Sequence, residues 1–238
     1  MVKSMGRCEM DDVRCKMDDV RDKVKEIKQS FRQMMDGAVA QSMRDKGLNY
    51  HLNWGATLPR LKEMAEEIAN SPRNATLSQR EQLTANSQYD LAIALWKENV
   101  RECKILATML MPADQILPEV VDIWMEQIPS QEIAEQVAFN LWQHLPFAPE
   151  KAYQWIASDK EYDQLCGFHV LTRLFMNHQE PNERGINEYL DQLLAALQGP
   201  YPSVRKAAMQ SVYRFAELGL MYERLAKSAL KSNNLDIF

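Results

Sequence analysis

The sequence predicts an all-α fold: a right-handed α-solenoid built from stacked helix pairs. Three observations carry that expectation. Apolar residues recur at helical spacing along most of the chain, and few stretches alternate with period two. Glycine is scarce, 8 in 238 residues, and most glycines fall between apolar helical patterns. The third observation is the stretch Ala94 to Met111, which reads as the end of one helix, a tight turn and the start of the next. Leu91 and Leu95 share a face there with Ala92 and Trp96 beside them, Lys97 to Asn99 form a polar break, and Cys103, Leu106, Ala107 and Leu110 make a second apolar stripe. Two short helices joined in this way cannot bury their apolar faces alone and need further pairs stacked beside them.

Taken in order, the chain begins with a long helix over 9–35. It contains an imperfect repeat, MDDVR at 10–14 and again at 17–21, which sets Met10 with Met17 and Val13 with Val20; Val24, Ile27, Phe31 and Met34 extend the stripe. Residues 1–36 are read as a capping or accessory helix, with a short dimeric coiled coil as the alternative. Asp36-Gly37 ends this helix, and a repeat domain is expected over 37–238. A short helix over 38–46 stops at Gly47, and a loop from Leu48 to Ala56 carries Tyr50, His51 and Trp54. Thr57 is placed to cap a helix over 58–69, with Pro59 in its first turn. Residues 70–86 are polar and read as a connecting loop. Nine helices follow, at 87–97, 100–111, 114–128, 131–144, 149–158, 160–177, 184–198, 202–218 and 220–231. Pro118 points to a later start for the 114–128 helix. Helix pairs thus recur at the spacing of HEAT or armadillo repeats. Trp96, Trp124, Trp142 and Trp155 fall near helix ends, where packing between repeats is the first reading and exposure in a groove the second.

Composition excludes several classes. No run approaches the roughly 20 apolar residues that cross a bilayer, and the N-terminus has no apolar signal core, so a cytoplasmic protein is expected. The four cysteines (Cys8, Cys15, Cys103, Cys166) contain no C-x-x-C pair, and no metal or other cofactor is expected. Cys103 and Cys166 read as small core residues. The net charge of −5 is uneven: residues 101–200 hold 6 basic and 15 acidic side chains, and residues 201–238 hold 6 and 3. The acidic middle is the reverse of the basic excess a duplex-binding surface usually shows. There is no phosphate-cradling glycine loop, nucleophile elbow or accessible Cys–His pair.

Three short motifs carry a family resemblance. They are Gly55 to Leu61 (GATLPRL), Leu95-Trp96 followed by Arg101-Glu102 and Ala107, and Trp155 to Asp159 (WIASD). In this order and spacing, spanning about Gly37 to Arg214, the chain resembles the HEAT-like-repeat DNA alkylation repair family, the AlkD-like DNA glycosylases. The resemblance implies a C-shaped solenoid that holds duplex DNA on its concave face and hydrolyses the N-glycosidic bond of N3- or N7-alkylated purines. An alkylated base of this kind is cationic and leaves as a neutral group. The protein's task is then to stabilise an oxocarbenium-like sugar and position water. A carboxylate serves the sugar, tryptophan faces serve the cation, and arginines hold phosphates.

Carried over residue by residue, the resemblance places Glu135 at the catalytic carboxylate. Gln131 stands where a catalytic tryptophan is expected, and Leu165 where a groove arginine is expected, so two of the three expected catalytic positions are unmatched. Trp142 and His169 are the candidate substitutes. Arg101, Lys104, Arg173, Arg205, Lys206 and Arg214 are the candidate phosphate contacts, with Trp142 beside them as a DNA-facing aromatic. Each has a plainer reading: Glu135 as a solvated helix acid, the cations as surface charge, and His169, in an apolar helix, as a core histidine. Function is accordingly read as a DNA alkylation repair family protein that binds duplex DNA. The alternative is a non-catalytic HEAT-repeat module that binds a protein or a structured nucleic acid.

Overall fold

The structure, a computed structural model, describes residues 5–48, 50–70 and 88–235, with side chains from residue 17 onward. All regular structure among the described residues is helical. The chain divides into two compact units, Met1–Ile116 and Leu117–Phe238.

The first unit holds α1 (Met5–Gln33), α2 (Gly37–Asp45), α3 (Leu58–Asn70), α4 (88–97) and α5 (Arg101–Leu110). The expected loop at 70–86 falls almost wholly outside the described residues, as do the side chains of Met10, Val13, Cys8 and Cys15. The apolar stripe of α1 buries Val24, Ile27 and Phe31, and Phe31 packs on Trp54 with ring centroids 5.7 Å apart. Asp36 ends the α1 connection and caps α2, its carboxylate accepting from the N–H groups of Ala38 and Val39 at 3.0 Å.

The centre of this unit is the irregular strap Leu52–Ala56. Its backbone polar groups have no helix or sheet to satisfy them, so other groups must do so. Leu52 forms an isolated parallel bridge with Val100, and its carbonyl accepts from Arg101 N–H at 3.1 Å. The N–H groups of Trp54 and Ala56 both donate to Glu102 Oε1, at 3.0 and 3.2 Å. Arg101 Nη1 donates to the Ala56 carbonyl at 2.8 Å and lies 3.5 Å from Glu102 Oε1. On the opposite side Asp36 N–H donates to the Trp54 carbonyl at 2.9 Å. The approach of Asp36 explains Gly55, which has φ +76°; a Cβ there would meet the Asp36 carbonyl oxygen at 2.2 Å.

These contacts correct two expectations. Arg101 is 1% exposed and serves the strap, so it leaves the set of phosphate contacts. Lys104 leaves it too: it is buried, its ammonium donates to the Trp96 carbonyl at 2.8 Å, and it lies 4.5 Å from the Trp96 ring centroid. Burial lowers its pKa. Sequence spacing put both cations on a helix but could not tell that α5 is buried almost all round.

The second unit holds α6 (Pro118–Glu126), α7 (Gln131–Asn140), a single 3₁₀ turn (Trp142–His144), α8 (Ala148–Ile156), α9 (Glu161–Met176), α10 (Glu183–Gln198), α11 (Pro202–Ala216) and α12 (Leu220–Ser232). Two expected helices are shorter. The 114–128 helix starts at Pro118, whose missing N–H is harmless only in the first turn. The 131–144 helix breaks at Leu141 before the 3₁₀ turn. Helix α9 is central and packs against α7, α8 and α11. It approaches α8 closely at Gly167, where a Cβ would lie 2.8 Å from Ile156 N and 2.9 Å from the Ala152 carbonyl oxygen. Cys166 Sγ donates to the Ala134 carbonyl at 3.3 Å and ties α9 to α7. Behind α9 and α11, Phe175, Tyr189, Phe215 and Tyr222 form an aromatic cluster with centroids 4.8–5.5 Å apart. Trp142 is fully buried against Trp155, centroids 4.7 Å apart, and this withdraws it as a DNA-facing aromatic.

Glu102→Ala removes the acceptor for two strap N–H groups and the carboxylate beside the buried Arg101 guanidinium, so we expect a loss of about 3–5 kcal/mol. Glu102→Gln keeps an acceptor oxygen and costs less. Urea denaturation of the two variants side by side checks both the size and the order.

Candidate functional site

The candidate residues that survive burial lie on α7, α9 and α11 of the second unit. Helix α7 begins at Ser130, whose hydroxyl accepts from Ile133 N–H. It buries Ile133, Ala134, Val137 and Ala138, which leaves Glu132, Glu135 and Phe139 half-buried on its other side. Glu135 is held by Gln131, whose Nε2 donates to Oε1 at 2.8 Å. The residue in the expected tryptophan position therefore orients the carboxylate and presents it no aromatic face.

Phe139, one turn after Glu135, joins α7 to α9. The ring of His169 meets it edge-on with centroids 4.9 Å apart, and the Arg173 guanidinium sits 4.8 Å from its centroid. Arg173 shares this face with His169, one turn further along α9. Leu165, one turn earlier in the position of the expected groove arginine, is 1% exposed and belongs to the core. The cation on α9 thus comes two turns later than the resemblance implies. Sequence reasoning missed Phe139; its signal was the i, i+4 spacing from Glu135 on a helix whose apolar residues mostly face the other way.

Helix α11 carries Arg205, Lys206 and Arg214 and no acidic side chain. Arg205 donates to the Gly199 carbonyl, anchoring the turn before its own helix. Arg214 is paired with Glu217 at 2.6 Å. Lys206 is exposed, and among the described residues neither it nor Arg173 has an acidic partner. Both act on the buried His169. Burial lowers its pKa to about 4, and the positive charges of Arg173 and Lys206 push in the same direction. Its Nε2 has no hydrogen-bond partner among the described residues. A buried imidazole, an aromatic ring and the Arg173 cation therefore meet between α7 and α9, with Lys206 on the adjoining α11. Such a set can receive an anion: the cations supply charge, and the imidazole can take up a proton as negative charge approaches.

Other chemistry finds no support here. Burial pushes the Cys103 thiol up to about 12, and Cys166 is raised by burial with Asp163 and Glu135 adding to it, so neither is a ready nucleophile. No group of three side chains suited to a metal ion occurs among the described residues.

The fold is that of a helical-repeat protein. The family model for DNA alkylation repair enzymes matches residues 27–208, most of the chain, and the protein belongs to that family. One solved structure, described as a new family of proteins related to the HEAT-like repeat DNA glycosylases with affinity for branched DNA structures, shares the fold. Its TM-score is 0.68 at 16% identity, covering 87% of this chain and 80% of that one. The comparison with curated proteins finds no match.

His169 gives the site a pH signature. An unfolded chain protonates this residue near 6.5 and the folded one near 4. Between those values the unfolded state holds more protons, so stability is complete above the upper value and falls as pH drops toward the lower one. The span is worth about 3 kcal/mol. Urea denaturation at neutral pH and at pH 5 should show about 2 kcal/mol of this loss in the wild type and a smaller loss in His169→Gln.

Proposed function

We propose that this chain is a DNA-binding member of its family that grips the phosphate backbone of bent or branched DNA at the α9–α11 face. The observation that carries the reading is the pair Arg173 and Lys206, on the packed helices α9 and α11, both without acidic partners among the described residues and both with charge that lowers the pKa of the buried His169. Phosphate contacts of this kind fix position on DNA without reading bases. Membership of the family supports the reading, as does the affinity for branched DNA described for the structural relative. The acids of α7 place the backbone over α9 and α11, because Glu132 and Glu135 repel it. At His169 an arriving phosphate offsets the two cations that hold the imidazole neutral, and binding is accompanied by proton uptake as pH falls.

A second reading, hydrolysis of an alkylpurine glycosidic bond, has one observation in its favour: Glu135 is a carboxylate held in a defined orientation by Gln131. Against it, Trp142 is fully buried and no aromatic wall stands at position 131. Binding without rapid hydrolysis is the function we retain. No helix among the described residues is long and apolar enough to cross a membrane. The free thiols of Cys103 and Cys166 support the cytoplasm as the compartment.

Fluorescence anisotropy with a four-way junction and a linear duplex of equal length, each across a salt series, tests this. We expect tighter binding to the junction and a steep salt dependence, with Arg173→Ala and Lys206→Ala each lowering the salt slope by about 1. Base release from 7-methylguanine DNA is scored in the same samples. Release that Glu135→Ala abolishes would establish the second reading. Absence of binding at low salt would contradict both and favour a protein partner.

A further inference from the structure

The N-terminal helix carries a feature that the DNA-binding reading leaves unused. The apolar stripe of α1 is continuous in sequence, and its cover is incomplete among the described side chains. Val24, Ile27 and Phe31 are buried, whereas Met17 is 53% exposed and Val20 is half-buried on the same face. Met17, Val20 and Val24 of α1, with Ile93 and Ala94 of α4, line a groove of about 790 Å³. Its rim is mostly basic: Arg21, Lys25, Lys28 and Lys97 against Asp90 and Glu98. Within the protomer Lys28 is paired with Glu98 at 2.7 Å and Lys25 with Asp22 at 2.8 Å, and Arg21 lies 3.6 Å from Asp18; the last two are exposed pairs that an incoming acid replaces at little cost. An apolar trough between cationic walls fits an amphipathic helix with acids flanking its apolar stripe.

This chain contains such a helix. Residues 5–19 of α1 hold three basic and five acidic side chains, and residues 20–33 hold five basic and two acidic. The MDDVR repeat sets two aspartates beside an apolar residue in each copy. The helix is therefore acidic at one end and basic at the other, with one stripe running through both. Two such helices laid side by side in opposite directions bring each acidic end to the other's basic end. A parallel arrangement sets like charges together.

We propose that the groove between α1 and α4 is a self-association site, filled by the acidic half of α1 from a second copy of this chain. The two copies form an antiparallel pair, so that each groove is occupied by the other's helix. The contact is isologous and closes at a dimer.

Sedimentation equilibrium of the full chain across the micromolar range tests this. A monomer–dimer equilibrium is expected. Met17→Glu places a charge on the exposed groove wall, where it disturbs little of the chain's own packing, and should raise the dimer dissociation constant at least about tenfold. Circular dichroism melting then shows whether that variant is still folded. Charge reversal supplies the second test. Arg21→Glu with Lys25→Glu in one protein, and Asp11→Lys with Asp12→Lys in another, should each weaken self-association, and mixing the two should restore a heterodimer. A monomer at every concentration overturns the proposal, as it would if the groove held another protein or a segment of its own chain. So does a folded Met17→Glu variant that dimerises as tightly as wild type, or a mixture in which no heterodimer forms.

Discussion

The structure depends on a buried ion pair that touches an irregular strap. Arg101 and Glu102 are 1% and 0% exposed, and removing two charges from water costs several kcal/mol for each ion. The pair offsets that cost through what it holds. One carboxylate oxygen accepts two backbone N–H groups of the strap, and the guanidinium donates to the Ala56 carbonyl. Without them the strap would carry buried, unsatisfied amides between α2 and α5. Gly55 completes the arrangement, because only a residue without Cβ lets the Asp36 carbonyl approach from the other side. The two sequence fragments that carried much of the family resemblance, Gly55 to Leu61 and Arg101-Glu102, thus contribute the two sides of one clamp. Both fragments therefore have a structural role that needs no direct part in chemistry.

With Arg101 and Lys104 assigned to the core, the charge pattern of the chain reads differently. The excess of acids over 101–200 no longer has to be reconciled with cations on α5. Arg173 and Lys206, on the packed helices α9 and α11, carry positive charge without an acidic partner among the described residues. Phe139 packs on His169, and the Arg173 guanidinium rests over the Phe139 ring. A guanidinium over an aromatic ring gives up part of its hydration beforehand, which favours contact with phosphate.

Helix positions were largely legible in the sequence because apolar spacing, proline and capping residues act locally. Pro118 and Ser130 mark helix starts that the structure retains. The break at Leu141 was not legible: nothing in Trp142 to His144 forbids helix, and the turn is set by packing of Trp142 on Trp155. Site residues were less legible for a related reason. Whether a cation faces solvent depends on which side of its helix meets another helix, and α5 meets neighbours on nearly all sides. Trp142 failed as a groove residue on the same ground, and Leu165 shows the reverse case, an expected arginine position turned into core. Arg173 and Lys206 remained on the surface because α9 and α11 keep one open face each.

Site-specific photo-crosslinking to a labelled four-way junction tests the α9–α11 assignment most directly. A photoreactive side chain is placed at Met209, which is 40% exposed and one turn from Lys206 on α11, and separately at Ile123, which is 52% exposed on α6. Crosslinks from position 209 and none from position 123 are the predicted result. Crosslinks from 123 alone, or from neither position while the junction is bound, would contradict the account.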